Sequence, residues 1–211
     1  MRAFRFRQDR RVFLALHALL RNALSHSYPL APEEWRFSTN AYGKPQIPSE
    51  FGLRFNLSRS PKLVICLVSR GIEVGVDLEP QERAGKIVEI APRVLSPSEL
   101  IQFELLTAQE KLNRALSLWT LKEAFTKACG MGLSLPLTRL SFLFEGDEAR
   151  LEVDPDLGIN SGRWQFSLFE HLGHRIAVVT ERMADAFLQL CEVRPVLAEP
   201  RSLVSAITRW F

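Results

Sequence analysis

Two acidic side chains, Asp77 and Glu79, stand two residues apart in the otherwise apolar stretch VGVDLEP. If this stretch is a β-strand, its side chains alternate between two faces, so both acids project from the same face about 7 Å apart. Carboxylates at this separation repel one another and can share one cation. Two interpretations are open at this point: a solvated strand face, or half of a metal site.

A second group of charges lies in WTLKEAFTK, residues 119–127. Helical spacing turns its apolar residues towards the core and places Lys122, Glu123 and Lys127 on the opposite arc. Taken alone, this arc is an exposed face with one ion pair between Glu123 and Lys127, worth about 0.3–0.5 kcal/mol. Taken with the strand, the carboxylates and lysines match the needs of a Mg²⁺–diphosphate complex, because Mg²⁺ binds carboxylate and phosphate oxygens and lysine binds phosphate.

Two further segments supply groups that bind anions. AYGKP places Lys44 beside a glycine and a proline, which predicts a stiff turn with the ammonium directed outward. FNLSRS places Ser58 and Arg59 at the end of a predicted strand, where a hydroxyl and a guanidinium can bind an anion. A structural turn explains either segment alone. Together with the acids, they indicate a ligand that carries several phosphates.

The composition limits the class of protein. Of the 211 residues, 46% are hydrophobic and 24% charged, which is typical of a globular protein and excludes a mostly disordered one. The net charge of +3 permits an anionic partner without establishing one. The cysteines lie far apart, which indicates neither a disulfide framework nor a zinc site and suits a reducing cytoplasm. His171 and His174 are expected to be surface residues. No apolar run is long enough to cross a membrane.

The periodicity predicts helices before strands in both halves of the chain. An amphipathic first helix should expose Arg10 and Arg11. SPSEL predicts a capped helix start, and a long helix over 108–128 should end at Gly130. Strands are predicted over 53–57, 63–69, 72–79, 140–144, 150–153, 164–170 and 175–180, with SRGI as a hairpin turn between the second and the third. We assign no role to residues 183–211.

The order of these motifs resembles a known family. YGKP, FNLSRS, VGVDLE, SPSE and WTLKEAFTKACGMGLSLPL follow one another as in the phosphopantetheinyl transferases of the Sfp type, over about residues 10–180. The resemblance implies an α+β fold of two pseudo-symmetric halves, residues 1–91 and 92–211. Each half would be a small antiparallel sheet packed on a long helix, with the active site in the cleft between them.

The resemblance also implies an activity: transfer of 4′-phosphopantetheine from coenzyme A to a serine of an apo acyl or peptidyl carrier protein, with release of 3′,5′-ADP. The cofactor would be Mg²⁺, with Mn²⁺ as the alternative, since both accept oxygen ligands. The enzyme would be a cytoplasmic monomer that acts on neither nucleic acid nor membranes. Two interpretations of Arg10 and Arg11 are open: contacts to the acidic carrier protein, or a solvated basic face of the first helix.

Roles carry over from the family to matching positions. Glu99 is assigned as the general base for the carrier serine, although a capping box at the start of a helix is the alternative explanation for it. Lys127 is assigned to the diphosphate and to the departing phosphate. The remaining implied ligands are Asp77, Glu79 and Glu123 for the metal, and Lys44, Ser58, Arg59, Lys122 and Arg11 for coenzyme A.

The chain departs from the family pattern at two positions. Arg59 stands where many relatives have histidine, and Met131 stands where relatives often have a basic residue. The N-terminal strand common in the family is also expected to be missing. Two other classes of protein stay open: another Mg²⁺-dependent enzyme acting on a nucleotide diphosphate, or a non-catalytic module that binds carrier proteins.

Overall fold

The protein has an α+β architecture, seen here in a computed structural model that describes residues 7–146 and 148–183. The described helices are α1 (Arg7–Ser27), α2 (Ala84–Val94), α3 (Pro97–Glu104) and α4 (Ala108–Cys129). The described strands are β1 (Ser38–Thr39), β2 (Pro45–Gln46), β3 (Leu53–Arg59), β4 (Val64–Arg70), β5 (Val74–Pro80), β6 (Leu140–Glu145), β7 (Glu148–Val153), β8 (Trp164–His171) and β9 (His174–Glu181). The α+β class is therefore confirmed. Cys191 and the tail from residue 184 lie outside the described residues.

All strand pairs in the described residues are antiparallel. The sheets are β1–β2, β3–β4, β5–β9–β8 and β6–β7, with Asp77 opposite Ala177 in the pairing of β5 with β9. The predicted hairpin at SRGI is wrong, because β4 pairs with β3 and β5 pairs with β9. Gly71, at a φ of 70°, does turn the chain, but its N–H donates to the carbonyl of Gly52, across the open end of the β3–β4 hairpin.

Strand β3 lies beside β5 and joins it through side chains. Asn56 Oδ1 accepts from the Val76 N–H at 2.9 Å, and Ser58 Oγ accepts from the Leu78 N–H at 3.1 Å. These side chains satisfy the edge of β5 that does not pair with β9, as buried backbone groups require. The motif FNLSRS therefore forms a seam between two sheets, with its polar side chains as the connecting groups.

The two long helices cover different sheets. Leu20 and Leu24 of α1 pack into a core with Trp35, Leu53 and Phe55, on the side of β3 and β4. Helix α4 packs its buried apolar residues into a larger core with β6, β8 and β9. It begins with a capping box at Thr107 and ends at Gly130, whose φ of 71° is the left-handed conformation that glycine adopts without strain. Within the described residues, no helix has the length and apolar character of a membrane span.

The proposed division of the chain at residue 91 stays a prediction. Helix α1 with the β3–β4 hairpin, and α4 with the β5–β9–β8 sheet, form the two helix-on-sheet units that the family resemblance implies. Strand β5, however, comes early in the chain and pairs with β9, the last described strand. The two parts of the sequence are therefore linked through a shared sheet.

Gly75 allows β5 and α4 to approach closely, and its replacement should be costly. A Cβ atom at this position would lie 2.0 Å from the Ala124 carbonyl oxygen and 2.6 Å from the Ala128 nitrogen. Both neighbours are backbone atoms of a helix, so Gly75→Ala should lower the free energy of unfolding by about 3 kcal/mol in urea denaturation. Gly85→Ala is the control: nothing lies near a Cβ there, and the substitution should stabilise α2 by about 0.5–1 kcal/mol. Equal effects of the two substitutions would contradict this packing.

Candidate active site

The acids of β5 are buried against helix α4. Asp77 is 6% exposed and Glu79 7%, and they share the strand face of Gly75, which contacts α4. Val76 and Leu78 on the other face pack into a separate apolar core. The interpretation as a solvated strand face is therefore wrong. Ionised carboxylates are expensive to bury without partners, so the groups around them define the chemistry of this site.

Asp77 has one oxygen with hydrogen-bond donors and one without. Its Oδ1 accepts from Lys127 Nζ at 2.6 Å and from Ser58 Oγ at 2.9 Å. Its Oδ2 is buried and has no partner within the described residues. Burial raises the pKa of Asp77, although the positive charge of Lys127 and the hydrogen bond from Ser58 act in the opposite direction. The unpaired Oδ2 leaves a place for a cation or another donor.

Glu79 is held by an arginine and a tryptophan. Arg83 Nη1 donates to both of its oxygens, at 2.6 and 2.7 Å, and Trp119 Nε1 donates to Oε1 at 2.8 Å. Burial raises the pKa of Glu79, and the nearby charge of Asp77 adds to this effect. The sequence analysis missed both partners. The spacing of four residues between Glu79 and Arg83 was the available signal for one of them.

Glu123 of α4 brings a third carboxylate to the same place. Its Oε1 is buried and has no partner in the described part of the chain. Burial raises the pKa of Glu123, and the charges of Asp77 and Glu79 raise it further. The carboxylates are thus close enough to interact electrostatically, which is what the sequence analysis predicted of them.

This donor set fits a hard divalent cation. Buried, unpaired oxygens on Asp77 and Glu123 and mutual repulsion among the three acids are features that a dication would relieve. Among the described residues, no group of three or more acidic, histidine or cysteine side chains is already arranged as a complete metal site. In this structure Lys127 forms an ion pair with Asp77, and Arg83 forms one with Glu79.

Lys127 links the acids to an open cavity. Its ammonium contacts Asp77, Ser58 and the Val76 carbonyl at the seam between β3 and β5, and its side chain remains 27% exposed. The cavity measures about 280 Å³ and lies between the YGKP turn, β3 and the end of α4. Its lining residues are Tyr42, Gly43, Lys44, Pro45, Phe55, Asn56, Leu57, Thr126, Lys127, Gly130 and Gly132.

Lys44 lines this cavity, but its ammonium is not directed outward as predicted. The side chain is 11% exposed, and Nζ donates to Glu73 Oε2 at 2.9 Å and to the Ala128 carbonyl at 3.0 Å. Asn40 fixes the same turn, because its Nδ2 donates to the Gly130 carbonyl at 2.8 Å. The carbonyls at the end of α4 need donors, and the YGKP turn supplies them.

Ser58 and Arg59 have different environments. Ser58 is 6% exposed, and its hydroxyl is engaged with Asp77 and the Leu78 N–H. Arg59 is exposed and has no ion pair within the described residues. The positive charge of Arg59 acts on His17 of α1. Burial lowers the pKa of His17, and the charges of Arg21 and Arg59 lower it further. Arg11 lies exposed on α1.

The matching family model covers residues 73–179 and describes the 4′-phosphopantetheinyl transferase superfamily. The chain belongs to this superfamily. The 4′-phosphopantetheinyl transferase Sfp of Bacillus subtilis is 35% identical over 146 residues, which cover 69% of this chain and 64% of that enzyme. The transferase ffp of Bacillus subtilis is 30% identical over 204 residues, which cover 97% of this chain and 84% of that protein.

The first relatives are longer than the matched region. The chain spans 64% of the length of Sfp and 56% of the transferase HetI from Nostoc, to which it is 33% identical. Among solved structures, a holo-(acyl-carrier-protein) synthase from Bacillus anthracis in complex with CoA (3′,5′-ADP) is 17% identical with a TM-score of 0.45. That match covers 52% of this chain and 96% of the synthase.

Lys122 of this transferase-family chain is buried, contrary to the prediction that it contacts coenzyme A. The side chain is fully inaccessible, and Nζ donates to the carbonyls of Val94, Leu137 and Leu140, each at 2.8 Å. It also forms an ion pair with Glu99 at 2.6 Å. Burial lowers the pKa of Lys122, and the charge of Glu99 opposes this. The side chain is closed to solvent, so a phosphate does not reach its ammonium, and Lys122 is a structural residue.

Glu99 is likewise occupied, and its role as general base for the carrier serine stays a prediction that these contacts do not support. The residue is 4% exposed and forms a capping box with Ser96, the alternative that its position at the start of α3 had suggested. Oε2 accepts from the Ser96 N–H at 2.8 Å as well as from Lys122, and Oε1 accepts from the Phe142 N–H at 2.7 Å. Neither oxygen is free to take a proton from a substrate.

His174 is also buried rather than at the surface. It is 2% exposed, with Nε2 2.9 Å from Ser60 Oγ and Nδ1 2.8 Å from the Leu172 carbonyl. This contact joins the end of β3 to the start of β9. The histidine is therefore structural, while His171 is exposed as predicted.

Proposed function

We propose that this chain transfers the 4′-phosphopantetheine group from coenzyme A to a serine of an apo acyl or peptidyl carrier protein and releases 3′,5′-ADP. One observation carries the proposal: buried carboxylates with oxygens unpaired among the described residues lie beside Lys127, and Lys127 lines a cavity. A ligand that combines a divalent cation with a diphosphate supplies the charges that these groups lack. The names of the relatives support the same activity.

The metal would be Mg²⁺, with Mn²⁺ as the alternative. Asp77 Oδ2 and Glu123 Oε1 would hold it, together with Glu79 once its carboxylate is released from Arg83. A bound divalent ion neutralises the charge that gathers on a diphosphate when its bond breaks. Oxygen ligands favour such hard ions over Zn²⁺.

Lys127 would bind the diphosphate and stabilise the departing phosphate. Its ammonium lies at the cavity lining and has rotatable donors, which suits a phosphate whose charge grows as the bond breaks. The nucleotide end would occupy the cavity next to Tyr42 and Lys44, with Arg59 as an exposed partner for the 3′-phosphate. Arg11 remains a proposed contact for coenzyme A or, with Arg10, for the carrier protein.

The proton of the carrier serine needs a base other than Glu99. We assign this role to the second oxygen of Glu123, Oε2, because Oε1 would hold the metal and no donor among the described residues bonds to this carboxylate. Its raised pKa brings the carboxylate nearer to the range where general bases work. A carboxylate has two oxygens and can serve a metal and a proton acceptor function together. We also propose that the enzyme is a monomer and that it works in the cytoplasm.

The distinguishing experiment follows 3′,5′-ADP by chromatography after incubation of the chain with coenzyme A and Mg²⁺, with and without an apo carrier protein. The proposal expects 3′,5′-ADP only when the carrier is present. Release without carrier would support a diphosphate hydrolase instead. Binding of the carrier with no release in either mixture would support a non-catalytic module.

A further inference from the structure

Arg83 holds the carboxylate of Glu79 in a manner that conflicts with metal binding. Both carboxylate oxygens accept from the same guanidinium nitrogen, at 2.6 and 2.7 Å. The side chain of Glu79 is 9% exposed, whereas that of Arg83 is 47% exposed. A metal ion that uses Glu79 has to replace this short, charge-assisted contact.

The charges around the acids show why Mg²⁺ on its own, without a diphosphate, competes with the resident cations. Three carboxylates carry three negative charges, and Lys127 and Arg83 supply two positive charges, which leaves one negative charge. A dication added to this set would leave the site positive overall. Lys127 has three hydrogen-bond partners at the seam between the sheets, whereas the Arg83 side chain hydrogen-bonds only to Glu79 among the described residues. Arg83 is thus the cation that can move at the lower cost.

We infer that Arg83 is a latch on the metal site: it neutralises Glu79 in the metal-free protein and competes with the divalent cation for this carboxylate. This inference depends on the proposed function in one respect only, the choice of Mg²⁺ as the cation that competes with Arg83. Trp119 is the positioning residue of the latch, because its indole N–H donates to Glu79 Oε1 at 2.8 Å and is independent of the guanidinium. Trp119 should keep Glu79 directed at the site after Arg83 has left.

The test measures binding of Mg²⁺ alone, without coenzyme A, by calorimetry on the whole chain. Arg83→Met should lower the Kd for Mg²⁺ about fivefold, the factor that corresponds to about 1 kcal/mol for a partly exposed ion pair. Lys86→Met is the matched control, since Lys86 lies one turn further along, is exposed, and has no ion pair in the described residues. The control removes the same charge and should change the Kd little.

A second readout follows the carboxylate itself. Because Trp119 contacts Glu79, Mg²⁺ binding should change the intrinsic fluorescence, and Trp119→Phe should abolish that change. An unchanged or higher Kd in Arg83→Met would overturn the latch, as would the absence of saturable Mg²⁺ binding in the unaltered chain. Either result leaves the modification of a carrier protein to be tested separately, so failure of the latch and failure of the proposed function are distinguishable.

Discussion

Replacement of Lys122 by methionine is expected to lower the free energy of unfolding by about 3–5 kcal/mol, the range for removal of one partner of a buried ion pair. The substitution leaves Glu99 charged in a site that is closed to solvent and removes the donor for three carbonyls. One carbonyl belongs to the end of α2 and two belong to the stretch that leads into β6, while Glu99 belongs to α3, so the ammonium joins three parts of the fold. Urea denaturation followed by circular dichroism measures the effect.

Two variants show whether the effect comes from the buried pair. Lys111→Met on the same helix removes a more exposed pair with Glu104 and should cost less than about 1 kcal/mol. Glu99→Gln combined with Lys122→Met should recover part of the loss, because the double variant no longer buries an unpaired charge. A loss below about 1 kcal/mol for Lys122→Met alone would show that Lys122 is not a structural centre.

Glu123→Gln is expected to lower the rate of carrier modification by about 10²–10³-fold, in the range for loss of a positioned base or charge-stabilising group. No described residue donates a hydrogen bond to Oε1 of this side chain, so the amide removes a charge without breaking a described contact at that atom. Binding of the carrier protein should remain nearly intact. The measurement is the initial rate of carrier modification. Glu89→Gln, on the exposed side of α2, is the control and should leave the rate unchanged.

Glu123→Gln should also stabilise the metal-free protein at neutral pH. Burial and the neighbouring acids raise the pKa of Glu123 in the folded state, so the folded chain binds this proton more tightly than the unfolded chain. The stability from that proton is present below the unfolded pKa of about 4.3 and is lost as the pH rises through the folded pKa. Glutamine at position 123 carries no charge at any pH, so the variant does not lose this stability as the pH rises. A melting temperature below that of the unaltered protein at pH 7 would contradict the unpaired carboxylate described above.

Local patterns were sufficient to predict the elements that carry the site. Alternation of side chains placed Asp77 and Glu79 on one face of β5, and helical spacing placed Glu123 and Lys127 on one side of α4. These predictions depend only on backbone geometry, which is fixed by the type of element. The α+β class followed from the same patterns together with the resemblance to a family.

Predictions that depended on tertiary contacts were less successful. Lys122 was expected on an open arc, but the segments that contribute Val94 and Leu140 cover that side of α4, and no helical periodicity encodes their position. Glu99 has a capping-box position, and the sequence alone left open whether its carboxylate was also accessible. Strand β5 pairs with a strand about one hundred residues later, a contact that no local turn signal reports.

The most direct test of the account is the mass of an apo carrier protein after incubation with this chain, coenzyme A and Mg²⁺, beside a carrier whose acceptor serine is replaced by alanine. The account predicts addition of one phosphopantetheine group to the unaltered carrier, no addition to the serine variant, and none when Mg²⁺ is chelated. An unmodified carrier in the presence of Mg²⁺, or equal modification after chelation, would contradict it.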